Sequence, residues 1–240
     1  MSAKDRLIVA LDVPSFAAAK ALVSELGDAV SFYKVGMELF YGAGPDVVRY
    51  LKDNGKKVFL DLKLQDIPNT VAHSLAVLTR LGADIMNVHA VGGPKMMAEG
   101  VKAVRETAQE LGLTAPKLIA VTVLTSMDEA QWKPLHYDQP IADQVLDLAA
   151  LTKQSGLDGV VASPREAAGI RQRCGKDFLI VTPGVRPVWA AANDQSRIAT
   201  PATALQNGST HLVVGRPITK AADKQEAARK ILEEMEGVLK

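Results

Sequence analysis

Three ionisable residues, Asp61, Lys63 and Asp66, stand close together where an apolar run gives way to a helical pattern. Because residues alternate sides along a β-strand, Asp61 and Lys63 would point to the same side, and Asp66 would follow just past the strand end. An ammonium group between carboxylates could move protons or repel an anionic group on a bound molecule. The same triplet could instead be an ion pair at a strand end, with Asp66 capping the following helix.

The elements that would position these residues follow a regular alternation of short β-branched runs and longer amphipathic segments. The predicted strands are residues 7–11, 30–35, 57–62, 85–89, 118–124, 159–162, 178–182 and 211–214. The predicted helices are residues 16–26, 46–54, 71–81, 94–111, 141–154, 164–173, 201–206 and 219–239. Eight strand–helix units predict an α/β fold, a (β/α)8 TIM barrel, because apolar strands buried on both faces need helical crossovers. A doubly wound open sheet is the alternative.

Composition narrows the class of protein. We find no linker or low-complexity tract, which predicts one catalytic domain, residues 1–240. Basic and acidic residues nearly cancel, 28 against 27, so no global field would attract nucleic acid or an anionic membrane. The single cysteine, Cys174, excludes an internal disulfide, suits a reducing compartment, and is expected to be an ordinary helix-end residue. With neither a signal-peptide pattern nor the roughly 20 apolar residues of a membrane span, we expect a soluble cytoplasmic protein.

The active site of such a barrel forms at the carboxyl ends of its strands. The polar residues predicted to fall there are Asp12, Lys34, Asp61, Lys63, Asn87, His89, Thr122, Thr125, Arg186 and Arg216, the last preceded by Gly215. Lys34 lies inside an apolar strand, which is costly unless its ammonium reaches a partner. Asp12 could instead cap the next helix. We expect His89 to be a core histidine bonded to backbone, because no partner stands at metal-ligand spacing.

The ends of strands seven and eight are typical of a phosphate site. Glycine turns and the start of the next helix direct backbone N–H groups at one point, where barrels frequently bind phosphate. Arg186 and Arg216 would add guanidinium donors, and Gln195, on the long loop 184–200, could close over the phosphate. These residues predict a phosphorylated small molecule as the ligand. The alternative is that both arginines are solvated loop residues.

The segment 59–70, FLDLKLQDIPNT, carries the D-x-K-x-x-D-I-P-N-T signature of the orotidine 5′-monophosphate decarboxylase family, which the whole chain resembles. Further matching segments, in the same order, are LIVALD at 7–12, YKVG at 33–36, VTVLTS at 121–126, TPGVR at 182–186 and VGRPI at 214–218. The resemblance implies a homodimer of barrels that converts orotidine monophosphate to uridine monophosphate and carbon dioxide, with no metal or organic cofactor.

The resemblance also implies a role for each matching residue. Lys63 is the proton donor to the C6 carbanion and lies beside Asp61, Lys34 and the partner subunit's Asp66. Asp12 and Lys34 are implied to hold the ribose hydroxyls, and Thr125 to contact the pyrimidine. The partner subunit's Thr70 is implied at the ribose, and Ile67 of the same segment is a further substrate contact. The implied phosphate contacts are Arg186, Gln195, Gly215 and Arg216.

Two other functions fit part of this pattern. Sugar-phosphate decarboxylases and aldolases of the same barrel superfamily share D-x-K-x-x-D but hold a magnesium ion on its carboxylates. The segment 67–70, Ile-Pro-Asn-Thr, and the second cation Lys34 argue against that alternative. The other alternative is a non-catalytic barrel that binds a phosphorylated ligand.

Overall fold

Eight parallel strands close into a barrel in the order of the chain, with the last strand paired to the first. The computed structural model describes residues 1–190 and 199–239. The strands are β1 Leu7–Ala10, β2 Phe32–Gly36, β3 Lys57–Leu64, β4 Ile85–His89, β5 Lys117–Val121, β6 Gly159–Val161, β7 Leu179–Pro183 and β8 His211–Val214. The predicted barrel is confirmed and the open sheet is excluded, because an open sheet would leave β1 and β8 as unpaired edges.

Helices surround the barrel in the described ranges. They are α1 Ala3–Arg6, α2 Phe16–Leu26, α3 Met37–Ala43, α4 Asp46–Asp53, α5 Pro68–Thr79, α6 Gly93–Glu110, α7 Glu129–Trp132, α8 Ile141–Gln154, α9 Ala167–Cys174, α10 Pro201–Gln206, α11 Arg216–Thr219 and α12 Lys224–Leu239. Cys174 is buried at the end of α9, as expected. Across residues 1–190 and 199–239, none of these helices combines the length and apolar character of a membrane crossing.

Several boundaries differ from the sequence prediction. The predicted helix 219–239 is wrong at its start, because α11 ends at Thr219 and α12 begins only at Lys224. The side chain of Asp223, just before α12, accepts the backbone N–H of Glu226 at 2.9 Å. The predicted strand 118–124 ends early, at Val121, whereas the predicted strand 57–62 continues to Leu64. Helix α3, which follows β2 directly, was not predicted. The last two differences both fall at the carboxyl end of the barrel, where the candidate site lies.

The interior of the barrel is filled by its own apolar cluster. Its buried members are Ile8, Ala10, Phe32, Phe59, Ile85, Ile119, Val181 and Val213. Lys34, Asp61 and Asn87 each stand two positions after a member of this cluster on the same strand. Because side chains alternate along a strand, these three polar groups point the same way as the apolar ones. The strands therefore place Lys34, Asp61 and Asn87 in a polar layer above the apolar interior.

The amino-terminal end of the barrel contains a buried histidine, His211, at the start of β8. Its side chain packs edge to face on Phe32, with ring centroids 6.1 Å apart, and its Nδ1 lies 3.0 Å from the hydroxyl oxygen of Thr210. Burial, and then nearby positive charge, lowers the pKa of His211 to about 4. At neutral pH His211 is therefore an uncharged part of the core.

Candidate active site

A chain of ion pairs crosses the carboxyl ends of the first three strands. The Lys34 Nζ atom on β2 lies 2.9 Å from Asp12 Oδ1, just past β1, and 3.5 Å from Asp61 Oδ2 on β3. The other carboxylate oxygen of Asp61, Oδ1, lies 2.7 Å from Lys63 Nζ. Asp12 does not cap the next helix, since Ser15 accepts the N–H of Ala18 there. The four charged groups thus alternate in sign across the mouth of the barrel.

Asp61 is the buried centre of this chain. Its side chain is about 10% exposed, compared with 63% for Asp12. Burial raises the pKa of the Asp61 carboxyl, but the charges of Lys34 and Lys63, with hydrogen bonds from Lys63 and Asn87, outweigh burial and hold it below its usual value. Asp61 is therefore ionised at neutral pH, and a bound anionic group beside it would meet a fixed negative charge.

Lys63 has an unusual backbone that a neighbouring side chain holds. Its φ of +51° lies in the left-handed region, which residues other than glycine rarely adopt. Its N–H donates to Asn87 Oδ1 at 2.8 Å, and Asn87 Nδ2 donates to Asp61 Oδ1 at 2.7 Å. Asn87, which is 2% exposed, stands among the predicted strand-end residues, but sequence reasoning assigned it no role. Its inward position in β4 was the available signal.

Asp66 lies apart from this chain of ion pairs. Its carboxylate accepts the backbone N–H of Ile67 at 2.6 Å at the start of α5, and the residue is exposed. Within residues 1–190 and 199–239, the ion-pair partner of Lys63 is Asp61 and not Asp66. Ile67, 66% exposed, and Thr70 lie beside it on the protein surface. The view of Asp61, Lys63 and Asp66 as one cluster within a single chain is therefore wrong.

The remaining residues after β4 and β5 differ in their surroundings. His89 is half-buried rather than a core residue, which corrects the sequence expectation; burial, then the positive charge of Lys63, lowers its pKa. The buried hydroxyl of Thr122 donates to the carbonyl of Val161 at 3.0 Å and so links β5 to β6. Thr125 is exposed in the turn beyond β5, because that strand ends early.

The ends of β7 and β8 lie next to each other and beside Asp12. Pro183 pairs with Val213, so the following loops begin side by side. Gly215, at the start of α11, approaches closely enough that a Cβ built on it would stand 3.9 Å from Asp12 Oδ2. Arg216 is exposed on α11, and the N–H of Arg186 donates to the carbonyl of Ala199 at 3.1 Å. The predicted phosphate residue Gln195 lies outside the described residues.

Known proteins resemble this chain along its length. Residues 5–231 match the family model described as "Orotidine 5′-phosphate decarboxylase / HUMPS family". The orotidine 5′-phosphate decarboxylase of Moorella thermoacetica is 52% identical over 239 residues, 99% of this chain and 95% of that protein. The orotidine 5′-phosphate decarboxylase of Syntrophotalea carbinolica is 51% identical over 239 residues, which are 100% of this chain and 98% of that protein. The crystal structure of orotidine 5′-phosphate decarboxylase from Lactobacillus acidophilus aligns with a TM-score of 0.86 at 43% identity, over 96% of this chain and 98% of that one.

Proposed function

The chain belongs to the orotidine 5′-phosphate decarboxylase / HUMPS family, and we propose that its Lys63 protonates the ring carbon that loses carbon dioxide. The reaction converts orotidine 5′-phosphate to uridine monophosphate in pyrimidine synthesis. The observation that carries the proposal is the pair of Lys63 Nζ and the buried carboxylate of Asp61, 2.7 Å apart at the mouth of the barrel. This pair places a proton donor and a fixed negative charge side by side.

The chemistry needs both members of this pair. When the bond from C6 to the carboxylate breaks, its electron pair stays on C6, and carbon dioxide leaves. A nearby ammonium stabilises that developing negative charge, and a proton then passes from Lys63 Nζ to C6. Asp61 orients the Lys63 ammonium and stands against the substrate carboxylate, which disfavours the bound reactant.

The substrate would lie along the line of residues from the ribose site to the phosphate site. Asp12 and Lys34 hold the ribose hydroxyls, as the family resemblance implies, and their charged atoms stand 2.9 Å apart beside Asp61. Thr125 contacts the pyrimidine. The phosphate contacts are Arg186, Gln195, Gly215 and Arg216. The closeness of Gly215 to Asp12 supports this direction, since it puts the phosphate end next to the ribose end.

We also propose that the active unit is a homodimer with shared sites. Asp66, Ile67 and Thr70 are exposed at the start of α5, where a second subunit could receive them. Beside them lies an open groove of about 500 Å³ between α5 and α6, lined by Ile67, Pro68, Asn69, Ala72, His73, Lys95, Glu99, Lys102, Ala103 and Glu106. In the dimer, the partner subunit's Asp66 and the partner subunit's Thr70 complete each site.

A magnesium-dependent sugar-phosphate enzyme is the second candidate. It would need carboxylate oxygens of the D-x-K-x-x-D motif for the metal. Here both oxygens of Asp61 face ammonium groups, Lys63 at 2.7 Å and Lys34 at 3.5 Å. That arrangement favours cofactor-free decarboxylation. We further infer that residues 1–240 form one catalytic domain, since strands from Leu7 to Val214 close one barrel. We also infer a cytoplasmic location for the protein.

One experiment tests this function. Orotidine 5′-phosphate in EDTA should be consumed with falling ultraviolet absorbance, and Lys63→Ala should lower kcat/KM by at least about 10²- to 10⁴-fold, the usual contribution of a proton donor. Lys20→Ala, on the exposed face of α2, serves as the matched lysine control and should leave kcat/KM unchanged. Wild-type activity that EDTA abolishes would contradict cofactor-free decarboxylation. An active Lys63→Ala variant would remove Lys63 as the donor.

A further inference from the structure

Strands β3 and β4 slip against each other at the site. Phe59 pairs with Ile85 and Leu60 with Met86, but the next pair is Leu64 with Val88. From the Leu60–Met86 pair to the Leu64–Val88 pair, the chain advances four residues along β3 but only two along β4. The extra residues on β3 form a bulge that contains both Asp61 and Lys63.

The bulge leaves polar backbone that the ladder between the strands does not pair. The buried side chain of Asn87 fills this gap from β4: its Oδ1 accepts the N–H of Lys63, and its Nδ2 donates to Asp61 Oδ1. The direction of the carboxamide follows from its partners, since an N–H needs an acceptor and an ionised carboxylate needs a donor. A single carboxamide thus contacts both members of the pair that the proposed function uses.

We propose that Asn87 is a positioning residue, whose carboxamide fixes the left-handed Lys63 backbone and the Asp61 carboxylate relative to each other so that the ammonium is aimed at the substrate. The φ of +51° at Lys63 supports this role, because a residue other than glycine keeps such a conformation only where its surroundings hold it. The inference rests on the proposed function of Lys63.

The charged groups around Asn87 determine what its removal does. Asp61 and Lys63 face it from β3, Lys34 lies beyond Asp61 on β2, and His89 follows on β4. Without the Nδ2 donor, Asp61 loses one of the contacts that hold its pKa down. The acid limb of the profile of kcat/KM against pH should then move to higher pH.

The test compares Asn87→Ala and Asn87→Ser with Thr152→Val. Thr152, fully buried in α8, donates to the carbonyl of Leu148 at 2.7 Å, so the control removes a buried hydrogen bond away from the site. We expect Asn87→Ala to lower kcat by about 10²-fold, the effect of misplacing a reacting group by about 1 Å. The dissociation constant of uridine monophosphate should change by less than about 3-fold, because its ribose and phosphate contacts remain. Asn87→Ser retains one small polar group and should fall between Asn87→Ala and the wild type.

The outcomes separate positioning from general stability. The proposal holds if kcat falls and the acid limb moves in the Asn87 variants while Thr152→Val, matched for loss of thermal stability, shows neither change. It is overturned if the Asn87 variants keep wild-type kcat, or if they lose activity only as Thr152→Val does. An active Lys63→Ala variant would instead refute the proposed function. An inactive Lys63→Ala beside a fully active Asn87→Ala would refute only the positioning role.

Discussion

At the scale of single residues, Asp61 organises the site. Each of its carboxylate oxygens faces a different lysine, and Asn87 adds a hydrogen bond to the oxygen that Lys63 contacts. A buried carboxylate would ordinarily favour its neutral form, so the two cations are what keep it charged. The same contacts hold both ammonium groups in place. Removing Lys34 or Lys63 would leave part of the buried Asp61 charge uncompensated, which is energetically costly.

A substitution at Gly36 would displace the Lys34 ammonium without replacing any charged residue. A Cβ added there would stand 2.8 Å from Lys34 Nζ, and its φ of −91° suits any residue. In Gly36→Ala the flexible Lys34 ammonium should therefore move away from Asp12 and Asp61. We expect KM for orotidine 5′-phosphate to rise about 10-fold, which corresponds to about 1.4 kcal/mol of binding, while the variant still folds.

Gly42→Ala is the matched control for Gly36→Ala. Gly42 lies on α3, and a Cβ there would meet the carbonyl oxygen of Pro14 at an ordinary 3.8 Å. Steady-state kinetics gives KM for both variants, and thermal unfolding shows whether both are folded. Equal KM values for the two would show that the position of Lys34 is not sensitive to this contact.

At the scale of elements, β3 carries both members of the Asp61–Lys63 pair. It extends through Leu64 by means of the bulge, so Asp61 and Lys63 project from the strand itself and not from a loop. A strand held by neighbours on both sides restricts the motion of its side chains more than a loop would. By contrast, β5 ends at Val121 and leaves Thr125 in a turn, so the pyrimidine contact assigned to Thr125 depends on a less constrained element.

The first residue of β8, His211, should make stability depend on pH. Its pKa is about 4 in the folded protein against an ordinary 6.5, because it is buried near Arg6 and Lys57, with Asp5 acting in the opposite direction. Between these values the unfolded chain takes up a proton that the folded chain does not, so the free energy of unfolding falls as pH drops from about 6.5 towards 4. The loss due to His211 should reach up to about 3 kcal/mol.

Urea unfolding of the wild type and His211→Gln at about pH 7.5 and about pH 5, at one protein concentration, measures this contribution. The variant should lose less stability between the two pH values than the wild type. His89, whose pKa is also lowered, contributes equally to both proteins and cancels in the comparison. An identical pH dependence in the two proteins would rule out the assignment to His211.

At the scale of the whole molecule, closure of the barrel assembles the site from distant parts of the sequence. The pairing of β8 with β1 brings Gly215 beside Asp12, although about 200 residues separate them along the chain. The ribose and phosphate ends of the proposed site meet at this seam. The proposed dimer would be a still larger assembly, in which the exposed Asp66 and Thr70 of each chain reach the other chain's site.

The shared-site dimer can be tested by mixing two inactive variants. Lys63→Ala and Asp66→Ala subunits should together form about one complete site per heterodimer, because each supplies the residue that the other lacks. Differently tagged subunits allow the heterodimer to be purified and assayed. Lys63→Ala mixed with Asp61→Ala is the control, and it should stay inactive because both changes affect residues of the same subunit's site. Inactivity of a verified Lys63→Ala and Asp66→Ala heterodimer would contradict the shared site.

The sequence by itself determined the eight-stranded barrel and the end of it where chemistry would collect. Alternating β-branched runs and amphipathic segments require parallel strands with helical crossovers, and side-chain alternation indicates which residues face inward. These regularities are local, so they can be read without coordinates. They were enough to select Asp12, Lys34, Asp61 and Lys63.

Only the tertiary structure decided how these residues pair. Local periodicity gives the side to which a residue points but not the register between strands, and the slip between β3 and β4 depends on contacts across the sheet. For that reason the left-handed Lys63 and the carboxamide of Asn87 that holds it could not be derived from local pattern. Asp66, three residues from Lys63 in sequence, lies past the end of β3, on the surface and outside the ion pairs of Asp61.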